Sequence, residues 1–228
     1  PAHVVSVAAP AAAARPRWAR VNLLKTTVDE ARHLLAHPPP EWGANITPIP
    51  FAESTPDQLI PELLRLPPVS HASHIHADHP AVASGLIVLQ GRASCLPVAA
   101  LNPPPHSVVL DCCAAPGNKT TMAAGRVGPK GHVIAFDRDP KRLELLKANA
   151  KRVGAEKVIE ARVQDFLQVD PEEFGSVQSI VLDPSCSGTG TTGTRMDFLL
   201  PSFGKGRETG KGKRKRDEEE EEEKGGEG

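Results

Sequence analysis

The chain of 228 residues has no tyrosine and is only 4% aromatic, whereas it contains 23 prolines and 19 glycines. A chain of this length is long enough for one substantial domain with a buried core. Its scarcity of large apolar side chains and its abundance of helix- and strand-breaking residues indicate that part of it lies outside that core. We therefore predict one main domain with irregular additions.

Cysteine is also scarce, and its pattern excludes a disulfide framework. The chain has four cysteines, Cys95, Cys112, Cys113 and Cys186, with no CxxC pair and no regular spacing. The adjacent Cys112 and Cys113 would form a poor structural disulfide. The pattern predicts free thiols in a reducing compartment.

Long hydrophobic runs are missing as well. Residues 1–14 are apolar and Ala-rich, but no basic segment precedes them and no continuous membrane-spanning stretch follows. This excludes a convincing signal peptide or membrane anchor. The chain starts at Pro1 and not at methionine, so we expect further sequence upstream.

Charge is segregated along the chain. The formal net charge is −1, and without the seven consecutive acids of 217–223 it would be +6. A modest positive excess is compatible with a nucleic-acid partner. The preceding "KGKRKR" (211–216) is typical of nuclear import signals, although a solvated tail is the simpler alternative. We predict a location in the nucleus, specifically the nucleolus.

The first part of the chain is predicted to be a small α+β segment. "RPRWARVNLLKTT" suggests a short strand, and its basic residues are equally compatible with RNA contact or with a strand edge. Thr27 and Glu30 form a predicted capping box for a helix that the prolines at 38–40 end. Residues 41–83 are expected to be irregular.

The following part alternates strands and helices. Capping residues and apolar stripes predict helices in "NKTTMAAGRV" and "DPKRLELLKANAKRVG", and short apolar runs predict strands at 106–111, 132–137, 157–163 and 177–183. This order predicts an α/β fold with a doubly wound parallel sheet. The predicted divisions are a loose segment (1–14), a partial RNA-binding-type region (15–83), a partial catalytic core (84–190) and a disordered tail (191–228).

Each predicted strand leads to an acid: Asp111, Asp137, Asp165 and Asp183. Ligands of open parallel sheets bind beyond the carboxyl ends of the strands. Gly117 lies in the loop after the first strand, but that loop matches neither GxGxxG nor the Walker motif, which disfavours a diphosphate. Four acids suit a nucleoside with a positive sulfonium and amine. We predict S-adenosylmethionine as the cofactor.

The segments "DCCAAPGNKT", "FDRD", "VQDF" and "DPSCSGTG", in this order, resemble the RNA cytosine-5 methyltransferases of the NOL1/NOP2/Sun family. The similarity covers roughly residues 16–190 and is strongest to the NSUN5/Rcm1-like branch, whose members modify large-subunit ribosomal RNA. It implies a Rossmann-like methyltransferase fold, incomplete at its C-terminal side, and an RNA substrate.

The resemblance also implies roles for individual residues. The methionine-side cofactor loop would consist of Cys113, Ala114, Ala115, Pro116, Gly117, Asn118 and Lys119. Asp137 would bind the ribose, Arg142 would contact the cofactor, and Asp165 would lie near the adenine. Asp183 would approach both the cofactor and the target base.

Members of this family use two cysteines, of which one attacks C6 of cytosine and the other helps to release the adduct. Cys186 matches the accessory cysteine, and Lys119 would supply a charge that lowers a thiol pKa. The "TCS"-like motif that carries the attacking cysteine is absent. Three readings stay open: a truncated and weakly active or inactive methyltransferase, an enzyme in which Cys186 attacks, and a non-catalytic binder of RNA or cofactor.

A histidine-rich segment, "HASHIHADHP", raises zinc binding as an alternative for residues 71–80. Its spacing follows no standard zinc motif and it contains no cysteine. We predict a polar loop without a metal.

Overall fold

The computed structural model describes residues 17–67 and 75–184, which contain two four-stranded sheets. The helices are α1 (Val28–Ala36), α2 (Pro80–Ala83), α3 (Arg92–Leu101), α4 (Asn118–Val127) and α5 (Pro140–Val153). The strands are β1 (Arg17–Val21), β2 (Thr55–Pro56), β3 (Leu63–Leu66), β4 (Ile87–Leu89), β5 (Val108–Asp111), β6 (His132–Asp137), β7 (Ile159–Val163) and β8 (Ser179–Val181). Short 3₁₀ turns cover Pro40–Trp42, Phe51–Glu53, Phe166–Gln168 and Pro171–Phe174.

The second sheet is parallel and has the strand order β7-β6-β5-β8. The chain adds β6 and β7 on one side of β5 and then returns to place β8 on the other side. The reversal at β5 is the topological switch point at which open α/β sheets bind ligands. The predicted α/β, doubly wound, Rossmann-like fold is confirmed.

Helix α5 shows how local sequence builds this sheet. The side chain of Asp139 caps its N-terminus by accepting hydrogen bonds from the backbone N–H groups of Lys141 and Arg142. Gly154 ends the helix in the left-handed conformation. The buried stripe follows helical spacing, as predicted, and consists of Leu143, Leu146, Ala150 and Val153. Their burial holds α5 against the sheet.

The first sheet is antiparallel, with the strand order β2-β3-β1-β4. The prediction that residues 41–83 are irregular is wrong for β3, which lies between β1 and β2 and buries three of its four residues. Pro61 and Pro67 flank β3 and make the segment look like a loop, but pairing with β1 satisfies its backbone. Strand β4 completes this sheet although it follows the predicted boundary at 83/84.

One apolar cluster joins the two sheets. Ile60, Leu63 and Val88 from the antiparallel part belong to the same buried cluster as Met122 of α4 and Leu146 of α5. The first sheet therefore packs against the helices of the second.

In the described ranges, no helix has the length and apolar character that crossing a membrane requires.

Arg20 of β1 is buried at this junction, with only 1% of its surface exposed. Its Nε donates to Gln90 Oε1 at 2.8 Å, and its Nη2 donates to Thr121 Oγ1 at 2.9 Å. Burial lowers the pKa of Arg20 to about 10. Its side chain therefore joins the two parts of the fold, so that for Arg20 the structural alternative holds and not the RNA contact that was equally compatible with the sequence.

Candidate functional site

The ends of the parallel strands bring the predicted acids together. Strands β5 and β6 end at Asp111 and Asp137, and Asp183 follows β8 by two residues. The pKa of the Cys113 thiol is raised by burial and then by the charges of these three acids, against the opposing effect of Arg142. Cys113, the first residue of the loop 113–119, therefore lies near the carboxylates of three strand ends.

Hydrogen bonds fix that loop to β6 and α5. The backbone N–H of Ala114 donates to the carbonyl oxygen of Phe136 at 2.9 Å. The N–H of Ala115 donates to Asp137 Oδ2 at 3.1 Å, and Asn149 Nδ2 donates to the carbonyl oxygen of Pro116 at 2.9 Å. The loop is therefore set before any ligand binds, which reduces the entropic cost of binding.

Gly117 makes the junction between the loop and α4. Its φ of +101° lies in the region that glycine favours, and a Cβ there would lie 3.0 Å from Leu146 Cγ. No side chain caps α4. The N-terminus of α4 can therefore direct backbone N–H groups to a carboxylate such as that of a methionine moiety.

We expect Gly117→Ala to lower the free energy of unfolding by about 2 kcal/mol. The positive backbone φ at this position is unfavourable for alanine, and the added Cβ would crowd Leu146. Urea denaturation measures the change. Gly175→Ala is the matched control, because φ is −58° at Gly175 and open space surrounds a Cβ there. Equal losses in the two variants would contradict this explanation.

Asp137 is the centre of the hydrogen bonding at the end of β6 and is 5% exposed. Its Oδ1 accepts from the N–H of Asp139 at 3.0 Å. Its Oδ2 accepts from Ala115 and lies 3.5 Å from Arg142 Nη1. A carboxylate has about four acceptor positions. Oδ1 therefore has one further acceptor position.

Arg142 and Lys119 supply the positive charges of the site. Arg142 Nη2 donates to the carbonyl oxygen of Ala115 at 2.5 Å, so this side chain braces the loop as well as Asp137. Lys119 Nζ lies 2.7 Å from Asp183 Oδ2 and 3.3 Å from Ser94 Oγ. Asp137 and Asp183 are therefore each paired with one cation beside the loop 113–119.

Asp111, at the end of β5, is buried with 1% exposure, and its Oδ2 accepts from Thr120 Oγ1 at 2.7 Å. Burial raises the pKa of Asp111 to about 6, although the Thr120 hydroxyl, the Cys113 N–H and Lys119 oppose the change. Asp111 therefore holds the first turn of α4 against the sheet from beneath. The sequence identified this acid but not its anchoring role.

Comparisons with known proteins agree with this geometry. Residues 98–200 match the family model described as 16S rRNA methyltransferase RsmB/F. The 25S rRNA (cytosine-C(5))-methyltransferase NSUN5 of Arabidopsis thaliana is 41% identical over 190 residues, which are 82% of this chain and 30% of that protein. The chain belongs to the rRNA cytosine-C5 methyltransferase family.

Two further comparisons support this assignment. The mouse 28S rRNA (cytosine-C(5))-methyltransferase is 37% identical over 80% of this chain and 40% of its own length. A methyltransferase homologue from Pyrococcus horikoshii has a TM-score of 0.62 at 28% identity, with 81% of this chain and 55% of that chain covered. The chain thus spans less than half the length of the two curated rRNA methyltransferases.

None of the three cysteine thiols in the described ranges has the lowered pKa that makes a thiol a strong nucleophile. Burial raises the pKa of Cys95 to about 11, and burial together with Asp111 raises that of Cys112 to about 12. The pKa of Cys113 is raised as well. A thiol with a raised pKa stays protonated and is a poor nucleophile. Cys186 lies outside the described residues.

The remaining member of the four predicted acids follows β7, which is an edge strand of the parallel sheet. Asp165, between β7 and the turn Phe166–Gln168, accepts from the N–H of Leu167 at 3.0 Å. Gln164 donates its N–H to the carbonyl oxygen of Asp137 at 3.2 Å, which ties the end of β7 to that of β6. Asp165 is half-buried.

The histidine-rich segment is described only in part, since His71 and His74 lie outside the described residues. His79 caps α2 by accepting from the N–H of Ala81, and its ring packs edge-on against Trp42. Burial lowers the pKa of His79 against the charge of Asp78. Within the described ranges, no three His, Cys, Asp or Glu side chains are grouped to hold a metal.

Proposed function

We propose that this chain binds S-adenosylmethionine at the ends of β5, β6 and β8 and takes part in methylation of cytosine C5 in large-subunit ribosomal RNA. The observation that carries the proposal is the position of Asp137 and Asp183 at the loop 113–119, where Asp137 accepts from the N–H of Ala115 and Asp183 pairs with Lys119. The printed names of the Arabidopsis and mouse relatives support the substrate.

The residues present fit this cofactor. The uncapped first turn of α4 suits its carboxylate, and the free acceptor position of Asp137 suits a ribose hydroxyl. We propose that Asp165, which follows β7, approaches the adenine. When bound, the cofactor supplies a methyl group on a positive sulfonium. The carboxylate of Asp183, whose side chain is half-exposed, would stabilise this positive charge.

The chain's own residues would orient the base. Asp183 holds its carboxylate toward Lys119 at 2.7 Å, which fixes one acceptor beside the cofactor loop. We propose that Asp183 orients the cytosine and that Cys186, three residues later, assists release of the covalent adduct. A base attacked at C6 must be unstacked, so a single-stranded or flipped nucleotide is the proposed substrate.

We propose that the chain by itself transfers methyl groups weakly or not at all. The sequence contains no cysteine after Cys186, and the three described thiols have raised pKa values. These raised values also favour the second candidate function, a non-catalytic protein that binds S-adenosylmethionine or RNA.

Two further proposals follow from the family and the composition. We propose that residues 15–83 contribute contacts to RNA, with basic side chains such as exposed Arg65 on β3. We also propose a nucleolar location, supported by the basic run at 211–216 and by the rRNA named as substrate of the relatives. Ribosomal RNA is made and first modified there.

Incubation of the chain with radiolabelled S-adenosylmethionine and unmodified large-subunit rRNA tests the activity. We expect incorporation near background, and small-subunit rRNA serves as the comparison substrate. Robust labelling that Cys186→Ser abolishes and Cys95→Ala preserves would show that Cys186 is the nucleophile. That result would contradict the accessory role proposed here.

A further inference from the structure

A chain of hydrogen bonds extends from the candidate site into the first sheet. It begins at Lys119, whose Nζ lies 2.7 Å from Asp183 Oδ2 and donates to Ser94 Oγ at 3.3 Å. Ser94 is on α3, which precedes the parallel sheet in the chain. It therefore reaches Lys119 from an element that supplies none of the predicted site residues.

Ser94 is itself held by Gln90. Gln90 is 4% exposed, and its Nε2 donates to Ser94 Oγ at 3.4 Å and to the Ser94 carbonyl oxygen at 3.3 Å. These hydrogen bonds are long, but the orientation of the amide is determined. Arg20 can only donate, so its Nε must face Gln90 Oε1, and the amide nitrogen must face Ser94.

Arg20 also returns to the helix that carries Lys119. Its Nη2 donates to Thr121 Oγ1 at 2.9 Å, and the Thr121 hydroxyl donates to the carbonyl oxygen of Asn118 at 3.2 Å. The first turn of α4 is therefore held through its backbone by Arg20 and through the Lys119 ammonium by Ser94. The buried guanidinium of Arg20 takes part in both sets of hydrogen bonds, through Gln90 and through Thr121.

We propose that Ser94, oriented by Gln90 and Arg20, is a positioning residue that keeps the Lys119 ammonium against Asp183. The inference rests on the proposed function, in which Asp183 orients the target cytosine. A lysine ammonium is a point charge on a flexible four-carbon stem. Its second acceptor, Ser94 Oγ, restricts the positions from which it can pair with Asp183.

A purely structural role for Ser94 would have a different consequence. Ser94 lies in the first turn of α3, where its backbone N–H donates to the carbonyl oxygen of Gly91 at 3.0 Å. If its side chain only supported this turn, Ser94→Ala would lower stability and leave Lys119 unchanged. The two roles are therefore separated by a signal from the Lys119 ammonium itself.

Proton exchange of lysine ammonium groups provides that signal. In the full chain labelled with ¹⁵N-lysine, Lys119→Arg assigns the Lys119 signal by its loss. We expect Ser94→Ala to accelerate hydrogen exchange at Lys119 Nζ on the order of tenfold, the effect of losing one hydrogen bond from a charged donor. Ser94→Thr, which retains a hydroxyl, should restore slow exchange.

Lys25 is the control in the same spectrum. Its Nζ donates to the carbonyl oxygens of Ser84 and Arg152 at 2.5 and 2.9 Å, and Lys25 is remote from Ser94 in the chain. Unchanged exchange at Lys119 in Ser94→Ala would overturn the proposal, as would equal acceleration at Lys25. The readout needs no cofactor. If the unsubstituted chain fails to bind S-adenosylmethionine, the proposed function fails, while the exchange result still decides the role of Ser94.

Discussion

Asp137→Asn is expected to weaken binding of S-adenosylmethionine roughly 100-fold, since hydrogen bonds to a charged group contribute about 1.5–3 kcal/mol. The carboxylate accepts from Ala115 N–H at 3.1 Å and pairs with Arg142 at 3.5 Å. An amide of the same shape removes the charge and has only one acceptor oxygen. It therefore cannot accept a hydrogen bond from Ala115 N–H at one position and from a ribose hydroxyl at the other. Calorimetric titration measures the change.

Asp139→Asn is the matched control for this variant. Asp139 lies two residues away and caps α5 through Oδ1, which accepts from Lys141 N–H at 2.8 Å. Asparagine caps helices about as well as aspartate does. Binding should therefore be unchanged in Asp139→Asn. Equal weakening in the two variants, or none in Asp137→Asn, would contradict the role assigned to Asp137.

The second large effect is a pH-dependent gain of stability in Asp111→Asn. Burial raises the pKa of Asp111 from 3.8 to about 6 in the folded chain. The folded state therefore binds the proton more tightly than the unfolded state. The resulting stabilisation is complete below about pH 3.8 and is lost as the pH rises through about 6.

Asparagine at this position does not ionise and can still accept from Thr120. The free energy of unfolding of Asp111→Asn, relative to the unsubstituted chain, should therefore rise by on the order of 2–3 kcal/mol between about pH 4 and pH 7. Urea denaturation across this range measures it. Stability curves that stay parallel would refute the effect.

Asp57→Asn separates this effect from a general response to removing a carboxylate. The hydrogen bond from Arg92 lowers the pKa of Asp57. Its stabilisation is therefore present above the ordinary pKa of 3.8 and is lost only as the pH falls through the lower folded value. The difference between Asp57→Asn and the unsubstituted chain should stay constant between about pH 5 and pH 7, where that of Asp111→Asn changes.

The features that the sequence predicted well are set by neighbours in the chain. The capping box of Thr27 and Glu30 and the cap of α5 by Asp139 are formed by residues within one turn of the helix they begin. The acids at the ends of β5 and β6 follow directly from apolar runs. Local sequence therefore identified the parallel sheet and the edge at which the candidate site is proposed.

The features that it missed depend on contacts between distant segments. Strand β3 is stabilised by pairing with β1, more than 40 residues earlier in the chain. Arg20 reaches Thr121 across 101 positions, and Ser94 reaches Lys119 across 25. No local sequence pattern identifies these side chains, because each forms a hydrogen bond with a residue that only the folded chain brings close.

The central claim is that the ends of β5, β6 and β8 form one binding site for S-adenosylmethionine. Titration of the ¹⁵N-labelled chain with this ligand, followed through its backbone amide signals, tests the claim most directly. The account predicts saturable shifts concentrated in residues 113–119 and 137–142 and near Asp165 and Asp183. A folded chain whose signals do not move, or move mainly in the antiparallel sheet, would contradict it.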